Sequence, residues 1–385
     1  MPFKEDVVIV GGGVAGCSIA YHLAKQGVPS LIIERDAIGS QASGKAWGVI
    51  SPSTNLVLYV EGDWVPEGTM RSCLSLSDEG LRRFPQLARE LKEEGGVDVG
   101  YGELPVIRTV FDESEEKHLK ERVSKLKGDG FEVSWIEADE VRARCPDIAP
   151  GVCGGTLWSG HQVEPYRYTL ALAQAAEAKG ASIKQGEAVG FRYQGSKVTS
   201  VILATSEIEA DVVVLAMGPW TAQATAWLGK ELPMRVTRDQ CLVLEVPQWL
   251  PPWRITSGQG VGVAIVPKVD GKVILGHWED DRVDFDDRPT EEFRLSVMEA
   301  AVATIPRLEE AKLVEHRAAV EAWHPNSGLP MLGRLPGWDN VYLVTWLAGF
   351  GIQWSPAVGR IMTDLIVKGR SEDPIEAFNP ARYVS

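Results

Sequence analysis

The chain has 385 residues, enough for two or three structural units with cores of their own, and a formal net charge of −14 at pH 7. An acidic balance with no long block of one sign argues against nucleic acid and an anionic membrane surface as partners, and no apolar run is long enough to cross a bilayer. Cys17, Cys73, Cys145, Cys153 and Cys241 lie scattered without a C-x-x-C pair, which favours free thiols in a reducing, cytoplasmic compartment over disulfides or a metal cluster; the charges at Lys4, Glu5 and Asp6 argue against a signal peptide.

The stretch Asp6–Arg35 predicts a βαβ unit. Val7–Val10 is short and wholly apolar, as a buried parallel strand is. Gly11, Gly13 and Gly16 follow at G-x-G-x-x-G spacing, and Val14 and Ala15 open a helical pattern that ends at Gly27. The three glycines suit a tight turn, a close approach of pyrophosphate to the backbone, and close packing of helix on strand. The helix N-terminus would present free N–H groups to the phosphates. A second apolar run stops at Glu34, whose carboxylate suits ribose hydroxyls. A glycine-rich turn of another α/β protein is the alternative; the strand before, the helix after and the acid at this distance favour a dinucleotide. Ile38–Ile50 is rich in small residues, with Ser40, Ser43, Gly44, Lys45, Ala46, Trp47 and Gly48, and would let backbone lie against a flat ligand.

Glu34-Arg35 followed by Gly39-Ser40 resembles the D-amino-acid oxidase-like superfamily of FAD enzymes, the glycine oxidase, sarcosine oxidase and proline dehydrogenase-β group. The resemblance implies FAD as cofactor. It also implies a mixed α/β fold of the glutathione-reductase flavin type, a Rossmann-like FAD-binding domain with a β-sheet substrate domain. We assign 1–75, 140–230 and 330–385 to the first and 76–139 and 231–329 to the second.

Farther along, 77–95 and Asp112–Lys127 predict charged helices, the second capped by Asp112, with strands near Val97–Tyr101 and Leu104–Val110. Pro165–Lys179 predicts a helix, and Ala188 and Val189 fall where the family contacts the adenine side of FAD. Strands across 197–215 finish in Ala216, and Gly218 and Trp220 resemble a second flavin-contacting motif. Residues 232–278 are β-rich, with an Asp270-Gly271 hairpin turn. A helix over Thr290–Thr304, a strand over Lys312–Ala322, and GLPMLG at 328–333 come next. After a strand at Val341–Thr345, Gly349, Phe350, Gly351, Ile352 and Gln353 resemble the family's glycine-rich flavin loop, with Ser355–Ile366 as the helix behind it.

The resemblance implies oxidation of a C–N single bond in a small amine, most of all a secondary amino or imino acid, by hydride transfer to flavin N5. A glycine or D-amino-acid oxidase, or a non-catalytic FAD-bearing subunit of a dehydrogenase complex, are the alternatives. Four departures from the family pattern matter. Lys45 stands where some relatives have a flavin-linking histidine, and no late cysteine follows Cys241, so non-covalent FAD is expected. Ile274 stands at the oxygen-activating lysine of sarcosine oxidases, with Lys272 displaced, which leaves a dye- or quinone-type acceptor open beside oxygen. Residues 320–327, just ahead of Gly328-Leu329-Pro330, hold no arginine, Arg317 being the nearest upstream; Glu321, Trp323 and His324 fill that region, so either another cation holds a substrate carboxylate or Glu321 attracts a cationic amine. Gln353 replaces a lysine of the flavin loop. Candidate substrate-pocket residues are Trp47, His277, Trp323, His324, Trp346, Phe350 and Gln353. Aromatic walls suit a compact ring or an N-alkyl amine. Possible protein partners are a companion subunit or a second copy of the chain.

Overall fold

The βαβ unit forms from β1 (Phe3–Val10), α1 (Val14–Lys25) and β2 (Ser30–Glu34), with Val7 opposite Ser30 and Val10 opposite Ile33 in parallel register. This is a computed structural model, and it describes residues 3–53, 55, 69–246, 252–258, 262–277 and 282–384. Parts of the β-rich stretch 232–278 lie outside the described residues.

The chain continues through α2 (Ala42–Lys45), β3 (Val49–Ile50), α3 (Met70–Gly95), β4 (Gly102–Glu103), β5 (Val106–Val110), α4 (Glu113–Gly128) and β6 (Ser134–Glu137). Next come α5 (Ala138–Arg144), β7 (Gly154–Trp158), β8 (His161–Gln162), α6 (Pro165–Ala178), β9 (Ser182–Gln185), β10 (Ala188–Gln194), β11 (Lys197–Leu203) and β12 (Glu207–Leu215). A 3₁₀ turn at Gly218–Trp220 leads to α7 (Thr221–Trp227), then β13 (Arg235–Glu245), β14 (Arg254–Ser257), β15 (Val263–Pro267), β16 (Lys272–Gly276) and α8 (Glu291–Thr304). The last elements are β17 (Lys312–Trp323), β18 (Met331–Arg334), β19 (Val341–Thr345) and α9 (Gly351–Lys368).

One sheet runs β10-β11-β12-β1-β2-β9, and β12 also pairs with β19, which carries β18. Strands β1, β2, β12 and β19 are mutually parallel, so Val10, Glu34, Leu215 and Thr345 end on the same edge. Ligands of open parallel sheets bind at such an edge. Helices α1, α3, α6 and α9 bury one face of this sheet in a shared core. Helix α9 is pinned from three directions: Ser18 Oγ donates to the Ser355 carbonyl at 2.7 Å, Tyr168 Oη meets Ser355 Oγ at 2.9 Å, and Trp354 Nε1 donates to Ser77 Oγ at 2.9 Å.

The second sheet runs β17-β13-β16-β15-β14-β5-β7-β6. Its longest pairing is antiparallel, from Arg235 opposite Trp323 to Glu245 opposite Lys312, with a bulge after Val243. Helix α8 packs Phe293, Val297 and Ala301 on it, and Thr290 caps that helix through its side chain. A small third sheet runs β3-β8-β4.

Several elements depart from expectation. Val97–Tyr101 forms no strand; only Gly102–Glu103 pairs, against β8. Strand β7 joins the second sheet by pairing with β5 and β6, so the assignment of 140–230 to the cofactor unit splits there. Helix α9 starts at Gly351, four residues before the expected Ser355. Pro356 has no N–H for the Ile352 carbonyl, and Ser355 Oγ donates to that carbonyl instead at 2.8 Å, so the helix runs through the proline.

Candidate flavin and substrate site

A long groove follows the carboxyl edge of the first sheet. Its floor is Val10, Gly11, Gly13, Val14 and Ala15; its sides are Glu34 and Arg35 from the end of β2, Ser40 to Ser43, Ala188, Ala216 to Trp220, and Trp346 to Gly349. Gly11 has φ +111°, and a Cβ there would lie 2.3 Å from the Ala216 carbonyl oxygen, so the turn needs glycine. The start of α1 carries no acidic residue, which leaves its positive end for an anion. Glu34 accepts hydrogen bonds from Gly12 N at 2.7 Å and Asp36 N at 2.9 Å, and each carboxylate oxygen keeps a lone pair for a hydroxyl. The Arg35 guanidinium stacks 4.3 Å above the Trp220 ring.

At the far end, Trp346 (φ 57°) and Ala348 (φ 51°) sit in the left-handed region that side chains avoid. Trp346 is fully buried, and its Nε1 has no protein acceptor. The strain and the orphan donor both lie where the groove meets α9, whose N-terminus carries no acidic residue.

A second cavity opens from this end. It is lined by Trp47, Gly48, Ser51, Asn55, Thr237, Asp239, Arg254, Trp323, Phe350 and Gln353, and it shares Ala46, Glu321, Gly349 and Ile352 with the groove. Burial, then the neighbouring Asp239, push the Glu321 carboxyl up to about 8. Gln353 is buried, and its Oε1 accepts from Ser51 N at 3.0 Å.

A profile of FAD dependent oxidoreductases (DAO) matches residues 6–365. The chain belongs to this family. It is 26% identical over 387 residues to a glycine oxidase of Geobacillus kaustophilus (strain HTA426), across 100% of this chain and 98% of that protein. The crystal structure of glycine oxidase from Geobacillus kaustophilus superposes with a TM-score of 0.89 at 26% identity, covering 100% of both chains. L-proline dehydrogenase from P. horikoshii shares the fold, with a TM-score of 0.82 at 22% identity over 99% of this chain and 98% of that one.

FAD is the cofactor of this FAD-dependent oxidoreductase, and the groove's own residues fit it. The bare turn at Gly11, the start of α1, where Ser43 Oγ accepts from Val14 N at 2.9 Å and no acidic side chain competes, and the acceptors of Glu34 match a diphosphate and a ribose; the N-terminus of α9, which carries no acidic residue, matches a ring with acceptor edges.

Of the residues singled out in the sequence, Gly11, Gly13, Val14, Ala15, Glu34, Arg35, Ser40, Ser43, Ala46, Ala188, Ala216, Gly218, Trp220, Gly349, Gly351 and Ile352 line the groove. Trp47, Gly48, Trp323, Phe350 and Gln353 line the second cavity instead. Gly16 and Gly44 act one layer back, where a Cβ would lie 2.1 Å from the Gly11 and Gly39 carbonyl oxygens respectively. Four candidates sit elsewhere. Val189 is 45% exposed, because alternation along β10 turns Ala188 inward and its neighbour out. Lys45 donates to the Ala318 carbonyl at 2.8 Å. His277 stacks on Phe293 at 4.8 Å, with His316 at 5.7 Å from the same ring, and lines neither space. His324 lies behind Trp346, 4.8 Å from its ring and 5.1 Å from Tyr383.

Four polar residues escaped the sequence reading. Arg254, Asp239 and Asn55 line the cavity. Lys268, its side chain 2% exposed, donates to the carbonyls of Trp47 at 3.1 Å and Val163 at 2.8 Å, and Glu164 lies 3.4 Å away. Arg254 left no readable trace: it opens the buried strand Arg254–Ser257, in which Ile255 is the one apolar residue.

Proposed function

We propose that the protein oxidises the C–N single bond of a small secondary amino or imino acid, of the sarcosine or proline kind. The supporting observation is the junction of the two spaces at Ala46, Glu321, Gly349 and Ile352, which lets a substrate in the aromatic cavity reach the ring end of the FAD groove. Held by the Gly11 turn and Glu34, FAD would supply the hydride acceptor that the oxidation of the C–N bond requires. The chain's residues orient the substrate and exclude water. Trp47, Trp323 and Phe350 give apolar walls for a ring or an N-alkyl group. Arg254 on β14, 4% exposed, lines the cavity and brings there the cation for a carboxylate that residues 320–327 lack. FAD is held without a covalent link, since Lys45 is engaged with β17 and the Cys241 thiol meets the Lys45 carbonyl at 3.6 Å. Ile274, buried in the core that packs against Trp47, favours a dye- or quinone-type acceptor over oxygen.

The test is anaerobic mixing with sarcosine, L-proline, glycine and D-alanine, following the visible flavin absorbance. Sarcosine or proline bleaches it fastest. Faster bleaching by glycine would support the second reading, a primary amino-acid oxidase, which the glycine oxidase of Geobacillus kaustophilus favours by its likeness. No bleaching by any amine overturns both.

A further inference from the structure

We propose that Glu321 receives the substrate nitrogen as an ammonium ion and takes its proton, with Asn55 Oδ1 as a second acceptor. The inference rests on the amine-oxidising reading above and names the chemistry of its nitrogen subsite.

The placement comes from the sheet. Glu321 on β17 faces Thr237 on β13, and Asp239 lies two residues farther along β13 on the same face. Glu321, Thr237 and Asp239 all line the second cavity, and Glu321 also lines the groove. Asn55 approaches from another segment. It is 7% exposed, and its Oδ1 has no hydrogen-bond partner. A buried acceptor without a donor asks for one from a ligand. The Glu321 carboxyl and the Asn55 amide oxygen at one space, with the Asp239 carboxyl beside them, suit a cationic N–H donor, and Arg254 lines the same cavity.

The reaction needs a neutral nitrogen, and Glu321 is placed to make it one. A free amine is protonated at neutral pH, and an ammonium nitrogen has no lone pair to assist loss of hydride from the adjacent carbon. Transfer of one proton from R₂NH₂⁺ to the Glu321 carboxylate gives R₂NH and the carboxylic acid. The α-C–H bond then breaks, its electron pair leaves as hydride to FAD, and the nitrogen lone pair forms the C=N bond of an iminium product. Glu321 returns its proton to solvent.

The charges facing Glu321 set when it is a base. Burial first, then Asp239 on β13, raise its pKa to about 8, and the Trp323 indole N–H opposes them. Across the cavity stands Arg254. Arg235 lies over the Trp323 ring at 5.0 Å, and Lys45 on α2 is occupied by the Ala318 carbonyl, with Asp287 at 4.0 Å. On the groove side the charged groups are Glu34, Arg35 and Glu187. The raised pKa means a neutral Glu321 below that pH and an anionic one above it, so a cation binds more tightly as pH rises.

The experiment uses the FAD-loaded protein and two acids that cannot be oxidised for lack of an α-hydrogen. N-Methyl-α-aminoisobutyrate carries the ammonium; α-methoxyisobutyrate is its uncharged oxygen analogue. Binding is read from perturbation of the flavin spectrum between about pH 6 and about pH 9. The amine binds at least about tenfold tighter at the higher pH, and the ether does not. Glu321→Gln abolishes the difference, and Asp239→Asn moves its midpoint to lower pH, both with FAD retained. Equal pH dependence for the two probes, or an unchanged profile in Glu321→Gln, overturns the proposal. Failure of every amine to reduce the flavin would overturn the amine-oxidising reading instead, and would leave the probe titration to decide whether the cation subsite exists.

Discussion

Glu34→Ala tests whether the groove is the seat of FAD. The carboxylate holds Gly12 N at 2.7 Å in the turn of the fingerprint and Asp36 N at 2.9 Å beyond the end of β2. Hydrogen bonds to a charged acceptor contribute about 1.5–3 kcal/mol each. The bond to Gly12 is part-buried and counts in full; the one to Asp36 is exposed, and water replaces most of it. The apoprotein therefore loses about 2–3 kcal/mol of stability. A ribose hydroxyl that loses the same carboxylate costs a further ~1.5–3 kcal/mol of binding, so the Kd for FAD rises about ten- to a hundredfold. Glu34→Gln keeps one acceptor oxygen, loses the charge, and falls between. Titration of the apoprotein by quenching of flavin fluorescence gives the Kd, and a thermal scan of the same sample gives the stability. A Glu34→Ala apoprotein that unfolds at the wild-type temperature and takes up FAD with wild-type affinity refutes the assignment of the groove.

Arg254→Met raises KM about ten- to a hundredfold for substrates with a carboxylate and changes kcat far less, while amines lacking a carboxylate are unaffected; an equal effect on both classes would remove Arg254 from recognition. Arg360→Met destabilises the protein by about 2–3 kcal/mol, seen in denaturant unfolding, because the buried Glu79 loses both charged bonds from Arg360, at 2.6 and 2.8 Å, and keeps that from Arg83 at 2.7 Å, while Asp364 keeps Lys368 and Asp373 keeps Ser371. A loss under about 1 kcal/mol would show the cluster to be solvated. Burial lowers the His22 pKa to about 4, with Nδ1 on the Ser18 carbonyl at 2.8 Å. The unfolded chain takes up this proton first as pH falls, so His22 costs up to about 3 kcal/mol of stability between pH 6.5 and pH 4. His22→Gln shows a shallower acid limb in that window; an unchanged limb would place the acid sensitivity elsewhere.

What was legible in the sequence was what depends on neighbours in the chain. The turn at Gly11 follows β1, Glu34 ends β2 and the Gly218–Trp220 turn comes just after β12, and strand ends at one edge of a parallel sheet must converge. The substrate side was less legible because strand pairing builds it. Asp239 meets Glu321 only through the register of β13 and β17, and Arg254 arrives on a strand held between β15 and β5. Local pattern fixes that β10 alternates but not which of Ala188 and Val189 turns inward. His277 closes a strand as a pocket residue would, yet the ring of Phe293, supplied by α8, captures it. Lys268 looked like one more basic residue in a hairpin; its burial follows from Val163 and Trp47, which lie far away in the chain.

Trp346 and Ala348 both take left-handed backbone in one loop, as Phe285 does elsewhere, and the Trp346 ring packs in the core against His324 and Tyr383. A side chain in that region costs about 1–3 kcal/mol, and two of them in one loop persist only where both ends are fixed. The far end is fixed, because α9 is bonded to α1, α6 and α3 through Ser18, Tyr168 and Ser77. The near end is β19, held between β12 and β18. With both anchors immovable, the loop bends inward and presents Trp346, Leu347, Ala348 and Gly349 to the groove, and the buried Trp346 N–H is left with no protein acceptor. Strain and an unmet hydrogen bond at one point are what a scaffold shaped around a bound ring leaves behind, and that point adjoins the space where Glu321 faces the aromatic cavity.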